Sequence, residues 1–293
     1  MKLVSLSEEV LGTVVEIKLL EDSARLFPLL FKRLREIEGR FSRFIDNSEL
    51  SKLNANLGKW QPASLEYIYL LKKSREFNEK TNGNFDVTLK STLDALGYDK
   101  DYSFVEKQPV ALSAEEKEPF LINEKDNQVL LNKEIDFGGI GKGYALDVLA
   151  RVLEAQGVKH YYVNAGGDII AKRGKDEAPW VIILEHPDDS TMAIGTVELD
   201  GMAIAASSSN KRKWGEGLHH LIDPKTKKPA FDVKAVFVVT TTGIEADAYT
   251  KAVFCTKFSD AIELSKKLPI EVLLISKENK IYRSKGFKCQ LFA

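Results

Sequence analysis

The sequence predicts an α+β fold, with mostly antiparallel sheets packed against helices. Three features carry that expectation. Amphipathic helical stretches and β-rich runs both recur along the chain. They do not follow the strict strand–helix–strand alternation that builds a parallel sheet. The strands of the second half are joined by short links, which suit antiparallel neighbours.

Residues 11–20 read as a strand, with Val14, Val15, Ile17 and Leu19 as β-formers or apolar residues. Ser23 is placed to cap a helix whose apolar face is Phe27, Leu30, Phe31, Leu34 and Ile37. Pro28 falls early in it, where a proline does least damage. Residues 41–54 mix polar and aromatic side chains and read as a loop with a short helix. Ser64 opens a second helix to about Lys80, which Asn82-Gly83-Asn84 stops. Residues 99–128 read as peripheral connections and hairpins, and residues 129–131 as a short strand. Beyond the central helix described below, β-rich runs lie at residues 158–163, 180–184, 194–199, 202–206 and 235–241. Residues 207–210 read as a polar loop, and Lys211-Arg212-Lys213-Trp214 as a solvated turn. Helices at about 244–256 and 260–267 and strands at 272–276 and 280–283 close the chain.

Of 293 residues, 44% are hydrophobic and 29% charged, an ordinary globular make-up. A net charge of −1 gives no reason to expect nucleic acid or a membrane surface as partner. Two cysteines, Cys255 and Cys289, form neither a disulfide framework nor a metal knuckle. No apolar run approaches the roughly 20 residues of a membrane span. The first seven residues are too short and polar for a secretory signal. The expectation is a cytoplasmic protein, or an extracytoplasmic one whose leader has been removed.

The most informative stretch is Asp136-Phe137-Gly138-Gly139-Ile140-Gly141-Lys142-Gly143-Tyr144. Four glycines and a lysine stand between a short strand and a helix carrying Leu146, Leu149, Ala150 and Leu153 on one face, with Gly157 placed to end it. It is not a P-loop: Asp136 stands where the first glycine belongs, and Gly143 where Ser or Thr belongs. It is not a dinucleotide fingerprint either, since Tyr144 replaces the third glycine. Backbone amides without a Cβ in the way, at a helix N-terminus, still suit a phosphate. A tight structural turn with a solvated lysine explains this stretch equally well.

Among the four histidines, His160 in an apolar strand and His186 before a proline read as structural. His219-His220 beside Asp223-Pro224 reads as the edge of a site. The sequence offers no local partner set for a catalytic metal at these histidines and no nucleophile elbow. Asp247 reads most simply as a carboxylate at a helix start. If the glycine turn, the turn at 164–168, the loop at 207–210 and Asp247 converge, they offer backbone donors, a lysine and a carboxylate. That set suits Mg²⁺-assisted chemistry at a pyrophosphate.

Six motifs, taken in order, resemble the ApbE-type FAD:protein FMN transferases. They are residues 48–54, Gly83-Asn84-Phe85-Asp86-Val87-Thr88, the glycine turn over 135–145, Asn164-Ala165-Gly166-Gly167-Asp168, His220-Leu221-Ile222-Asp223-Pro224 and Glu245-Ala246-Asp247-Ala248, in a span that runs from Leu11-Gly12-Thr13 to about Phe254. The resemblance implies a T-fold-like α+β architecture and a single domain over 1–293. It implies that FAD, as substrate, is cleaved at its pyrophosphate. FMN then passes through a phosphoester to a Ser or Thr of an acceptor flavoprotein, and AMP leaves. By the same resemblance Leu11, Phe44, Asn54, Asn84, Phe85, Asp86, Gly138, Gly139, Lys142, Tyr144 and Leu221 bind FAD. Gly141, Asp247 and Thr250 hold Mg²⁺, and His220 and Asp247 are catalytic.

Leu11 stands where the family usually has methionine, and two further positions depart from the family pattern. Lys251 stands where a threonine metal ligand is usual, leaving Thr250 as a substitute one residue away. Lys227 stands where a glycine is usual. An ammonium cannot ligate Mg²⁺. Lys251 then either neutralises the pyrophosphate itself or marks a member without activity. Two rival readings use the same residues: a Mg²⁺-dependent FAD pyrophosphatase with water as acceptor, and a non-catalytic FAD-binding protein.

Overall fold

The computed structural model describes residues 2–107, 118–209, 213–215 and 217–292. The chain opens on a hairpin of β1 (Leu3–Val10) and β2 (Thr13–Leu20). Only the second strand is evident from sequence, because β1 is largely exposed and carries no apolar run. Leu11 and Gly12 make the turn, with φ of +60° and +64°. A two-residue hairpin loop demands left-handed backbone at both positions, and Leu11 adopts it at a steric cost of about 1 kcal/mol. A 3₁₀ segment, Glu21–Leu26, then runs directly into α1 (Phe27–Phe41), so Ser23 is not the cap expected of it.

The next elements are α2 (Glu49–Asn54), β3 (Trp60–Pro62), α3 (Leu65–Lys80) and α4 (Lys90–Ala95). Ser48 and Ser64 cap α2 and α3, their hydroxyls accepting the N–H of Ser51 and Tyr67 at 3.0 and 3.2 Å. Then come β4 (Phe120–Asn123), β5 (Gln128–Leu131), α5 (Gly141–Ala155), β6 (Tyr161–Ala165), β7 (Asp168–Lys172), β8 (Trp180–Glu185), β9 (Ala193–Leu199) and β10 (Met202–Ser208). Part of the expected 99–128 connection, and Asn210 to Arg212 of the expected loop and turn, lie outside the described residues. Four two-residue strands follow: β11 (Lys213–Trp214), β12 (Leu218–His219), β13 (Ile222–Asp223) and β14 (Lys228–Pro229). Trp214 is buried, with its indole N–H on the Leu96 carbonyl at 2.8 Å, so this residue does not belong to a solvated turn. The chain closes with β15 (Val233–Thr240), α6 (Gly243–Phe254), α7 (Phe258–Lys267), β16 (Glu271–Ser276), β17 (Ile281–Arg283) and β18 (Cys289–Leu291).

Eight strands form the main sheet in the order β1-β2-β6-β7-β10-β15-β16-β17, and each of its pairings is antiparallel. The expected α+β class, with mostly antiparallel sheets, is what the chain adopts. Alternation along the central strands gives the sheet two apolar faces. Val236 and Val238 of β15 join the helices in one core, while Ala235 and Phe237 join Ile182, Leu184 and Val197 of a small β18-β9-β8 sheet in another. The result is three layers, with the main sheet in the middle.

Two helices set the position of everything near the glycine turn. α5 and α6 cross at their N-terminal ends with almost no space between backbones. A Cβ on Gly243 would lie 2.6 Å from the Gly143 carbonyl oxygen, and one on Gly143 would lie closer still to that of Gly243. Each helix caps the other. Asp147 of α5 accepts the N–H of Gly243 and Ile244 at 2.6 and 3.0 Å, and Asp247 of α6 accepts the N–H of Gly143 at 2.9 Å. The amides that a helix start leaves unpaired are thus met from the neighbouring helix.

The crossing predicts an asymmetry among the glycines. Gly143→Ala and Gly243→Ala drive a Cβ into backbone that cannot move aside, and each should cost at least ~3 kcal/mol. Gly141→Ala meets nothing within 4 Å and should stay within about 0.5 kcal/mol of the native chain. Denaturant unfolding of the three variants checks this, and equal losses would refute the packing argument.

Candidate functional site

Two hollows meet at the start of α5. The smaller, about 130 Å³, has walls of Phe44, Phe85, Leu89, Leu93, Tyr98 and Leu221 with Asn84 and Asp86 at its polar side. The larger is a cleft of about 1000 Å³ running past Thr13, Lys142, Asn164, Asp168 and Ser207 to the exposed face of β8. Gly138, His220 and Lys251 line both. The cleft alone is at the upper end of volumes that hold small molecules.

The glycine turn is built by local bonds. Asp136 Oδ1 accepts the N–H of Gly138 at 2.9 Å, and the Phe137 carbonyl accepts those of Ile140 and Gly141 at 3.0 and 2.7 Å. None of its four glycines has positive φ, so handedness requires none of them; Gly139 and Gly143 are crowded by neighbours, while Gly141 faces open space. A Cβ on Gly139 would press to 3.0 Å from the Phe85 ring. Asn54 clasps the extended segment entering the turn: its amide donates to the Ile135 carbonyl and accepts the Ile135 N–H, both at 2.8 Å.

The floor where the hollows meet is a cluster of two carboxylates and two ammoniums. Asp247 is fully buried; Lys251 and Lys142 both approach its Oδ1, Lys142 at 3.7 Å. Lys142 also pairs with Asp168 Oδ2, and Asp168 Oδ1 accepts the Ala206 N–H at 3.4 Å. Burial pushes the Asp168 carboxyl up, but the Lys142 and Lys251 ammoniums outweigh it and hold the group below the usual carboxylate range. Around the rim, Arg43 lies 3.4 Å from Asp136 and Lys227 lies 3.5 Å from Asp86. Lys227 does so from left-handed backbone, φ +58°.

The histidine pair splits in two. His219 is buried and fully used: Nδ1 accepts the Leu221 N–H at 3.2 Å and Nε2 donates to the Ala230 carbonyl at 2.9 Å. Burial lowers its pKa, so it stays neutral. His220 faces the hollows, its ring 6.1 Å from that of Tyr98. His160 packs on Trp180 at 4.7 Å and accepts the Gly174 N–H, as its structural reading requires. Cys255 lies at the smaller hollow, but burial pushes its thiol up and keeps it protonated.

Of the residues expected at an FAD site, Phe44, Asn84, Phe85, Asp86, Gly138, Gly139, Lys142 and Leu221 line one hollow or the other. Leu11, Asn54 and Tyr144 line neither. Leu11 sits in the hairpin turn beside Gly12 and Thr13, which reach the cleft. Tyr144 turns its ring into the core against Phe41 and gives its hydroxyl to Glu66. Arg43 and Tyr98 were not foreseen. Arg43 is buried, stacks over the rings of both Phe44 and Tyr98, and donates to Asp94 at 2.7 Å. An arginine set between two phenylalanines in an otherwise polar stretch is the signal that marks it.

The expected Mg²⁺ set of Gly141, Asp247 and Thr250 does not fit the ion. Asp247 spends Oδ2 on the Gly143 N–H and Oδ1 on ammonium. Thr250 is fully buried and its hydroxyl donates to the Asp247 carbonyl at 2.8 Å. Two carboxylates are already balanced by two ammoniums, so no negative charge remains to draw a dication. Among the described residues, no group of three His, Cys, Asp or Glu side chains is arranged to hold a metal. Asp247 is not the helix-start carboxylate its sequence position suggests either: it lies in the second turn of its own helix and caps α5.

Asp147 gives this architecture a pH dependence. Burial pushes its carboxyl up to about 6 from the ordinary 3.8, against the two amides that pull it down. Between those values the folded chain holds a proton that the unfolded chain has lost. The stabilising contribution is complete below the lower value and gone above the upper. Acidification from neutral to about pH 4.5 should therefore stabilise the native chain relative to Asp147→Asn, by about 2 kcal/mol. Urea unfolding of both proteins at the two pH values tests it, and parallel curves would contradict it.

A model of the ApbE family matches residues 11–274. The FAD:protein FMN transferase of Escherichia coli K12 is 26% identical over 285 residues, covering 89% of this chain and 80% of the relative. That of Haemophilus influenzae is 26% identical over 311 residues, covering 97% and 90%. Among solved structures, an ApbE protein of Thermotoga maritima superposes with a TM-score of 0.89 at 26% identity, covering 98% of each chain. The flavin transferase ApbE of Vibrio cholerae gives 0.79 at 25% identity, again over 98% of each chain. Among the described residues, no helix is long and apolar enough to cross a membrane.

Proposed function

Because the chain belongs to the ApbE family, we propose that it is an FAD:protein FMN transferase. It cleaves FAD at the pyrophosphate, attaches FMN through a phosphoester to a Ser or Thr of an acceptor flavoprotein, and releases AMP. The observation that carries the reading is the junction. Gly138, His220 and Lys251 belong to both hollows, so a ligand with a ring system at each end would lay its linking phosphates across them.

In this reading the aromatic walls of Phe44 and Phe85 take one ring system and the open cleft takes the other. Gly138 and Gly139 let backbone come close to the phosphates, with the start of α5 behind them. The acceptor hydroxyl approaches from the cleft. Its oxygen forms a bond to the FMN phosphorus as the bond from that phosphorus to the bridging oxygen breaks, and the bond's electron pair leaves with AMP. His220 takes the hydroxyl proton. Such a transfer depends on positioning and charge neutralisation more than on a protein nucleophile. The Mg²⁺ that the resemblance implies takes no part in these steps, because Asp247 is already matched by ammonium.

The test is intact mass. Mixed with FAD and a flavoprotein subunit carrying a Ser or Thr acceptor site, the protein should add one FMN less water to the acceptor and release AMP in equal amount. His220→Ala should lower the rate by about 10²–10⁴-fold while FAD still binds. AMP and free FMN with an unmodified acceptor would instead make the protein a pyrophosphatase. Intact FAD retained without AMP would make it a flavin carrier.

A further inference from the structure

We infer that Lys251 and Lys142 take the place of the divalent cation, so that the site works without bound metal. The inference rests on the FAD-cleaving reading above and adds how its charge is supplied. Lys251 lies one helical turn beyond Asp247, the i,i+4 spacing at which an ammonium meets a carboxylate on one helix face. The carboxylate is fully buried, while the lysine side chain keeps about a sixth of its surface and lines both hollows. Lys142 is similar: a fifth exposed, on the cleft, tied to Asp168 and lying 3.7 Å from Asp247. Each ammonium therefore has a carboxylate beneath it and open space above. The carboxylates fix where the charges stand, at the edge of the space a ligand would fill.

This is what a pyrophosphate requires. Its bridging bond breaks with charge gathering on the departing AMP phosphate, and a lysine donor already in place stabilises that charge without reorganising. A divalent ion would supply the same charge from one centre. Here it comes in two single units from α5 and α6, whose crossing holds them a fixed distance apart. The ion and the ammoniums compete for the same Asp247 oxygen, so the presence of one excludes the other.

Two measurements test this. In the first, chelator-treated protein is given FAD and acceptor with and without added Mg²⁺. The native rate should change less than about twofold. Lys251→Thr should lose about 100-fold without metal and recover most of it when Mg²⁺ is added. A native enzyme silenced by EDTA and restored by Mg²⁺ would overturn the inference. The second needs no turnover: Mn²⁺ binding to the FAD-loaded protein is read by electron paramagnetic resonance. The native chain should leave micromolar Mn²⁺ free, and Lys251→Thr should bind one equivalent. Lys251→Ala, which uncovers Asp247 without adding a ligand, should also bind Mn²⁺, and serves if the threonine variant fails to fold. Mn²⁺ bound by the native chain as tightly as by the variants would overturn the inference. If no protein modifies the acceptor, the transferase reading falls, and the Mn²⁺ result still decides this one.

Discussion

The crossing of α5 and α6 is the constraint on which the rest of the structure depends. Two glycines, Gly143 and Gly243, bring the helix backbones within reach of each other's first turns. Two aspartates, Asp147 and Asp247, then exchange caps across the gap. A helix start normally finds its acceptor in the residue just before it. Here Ile140 offers no side-chain cap to α5, and the acceptor comes from 104 residues away. The glycine turn cannot shift without breaking that bond, and neither can the face of α6 that carries Lys251. One interaction thereby fixes the floor, the turn and the ammonium together.

The sheet supplies the rigidity that this arrangement needs. α6 is buried along almost its whole length, between α5 on one side and β10 and β15 on the other. The small β18-β9-β8 sheet covers the opposite face of the main sheet, so the central strands are apolar on both faces. The cleft opens where β8 leaves Val181 and Ile183 exposed beside β2 and β6. The site is therefore a gap between layers whose cores are both closed.

Much of this was legible in the sequence. Helix spacing located α3 and α5 to within a residue or two, because their apolar periods and end signals agree. The β-rich runs located β8, β9, β10, β15 and β16 for the same reason. The losses have physical causes. β1 was missed because an exposed edge strand needs no apolar pattern. The cap on α1 was misplaced because a 3₁₀ turn meets the same amides without a side chain. At the site, motif order brought eight of the expected flavin contacts to the hollows, yet Tyr144 and Asn54 turned out to act from behind. Periodicity says that a residue sits on a helix, but the partner that claims its hydroxyl, Glu66 for Tyr144, is a tertiary fact. The reciprocal caps were likewise invisible, since an aspartate in a helix carries no mark of the distant amide it serves.

The two lysine departures from the family pattern make one argument. At 227 and at 251 the chain carries lysine where the resemblance places glycine and threonine, and each lysine meets a carboxylate at the hollows, Asp86 and Asp247. Position 251 costs nothing in backbone terms, because an i,i+4 pair suits a helix. Position 227 does cost: left-handed backbone that a glycine adopts freely costs a lysine about 1 kcal/mol. With Asp136 paired to Arg43 and Asp168 to Lys142, all four carboxylates named around the hollows carry a cation from a side chain of this chain. A site so arranged presents ammonium to an incoming polyanion at several points, and each of these four carboxylates is already matched by a cation before a metal ion arrives.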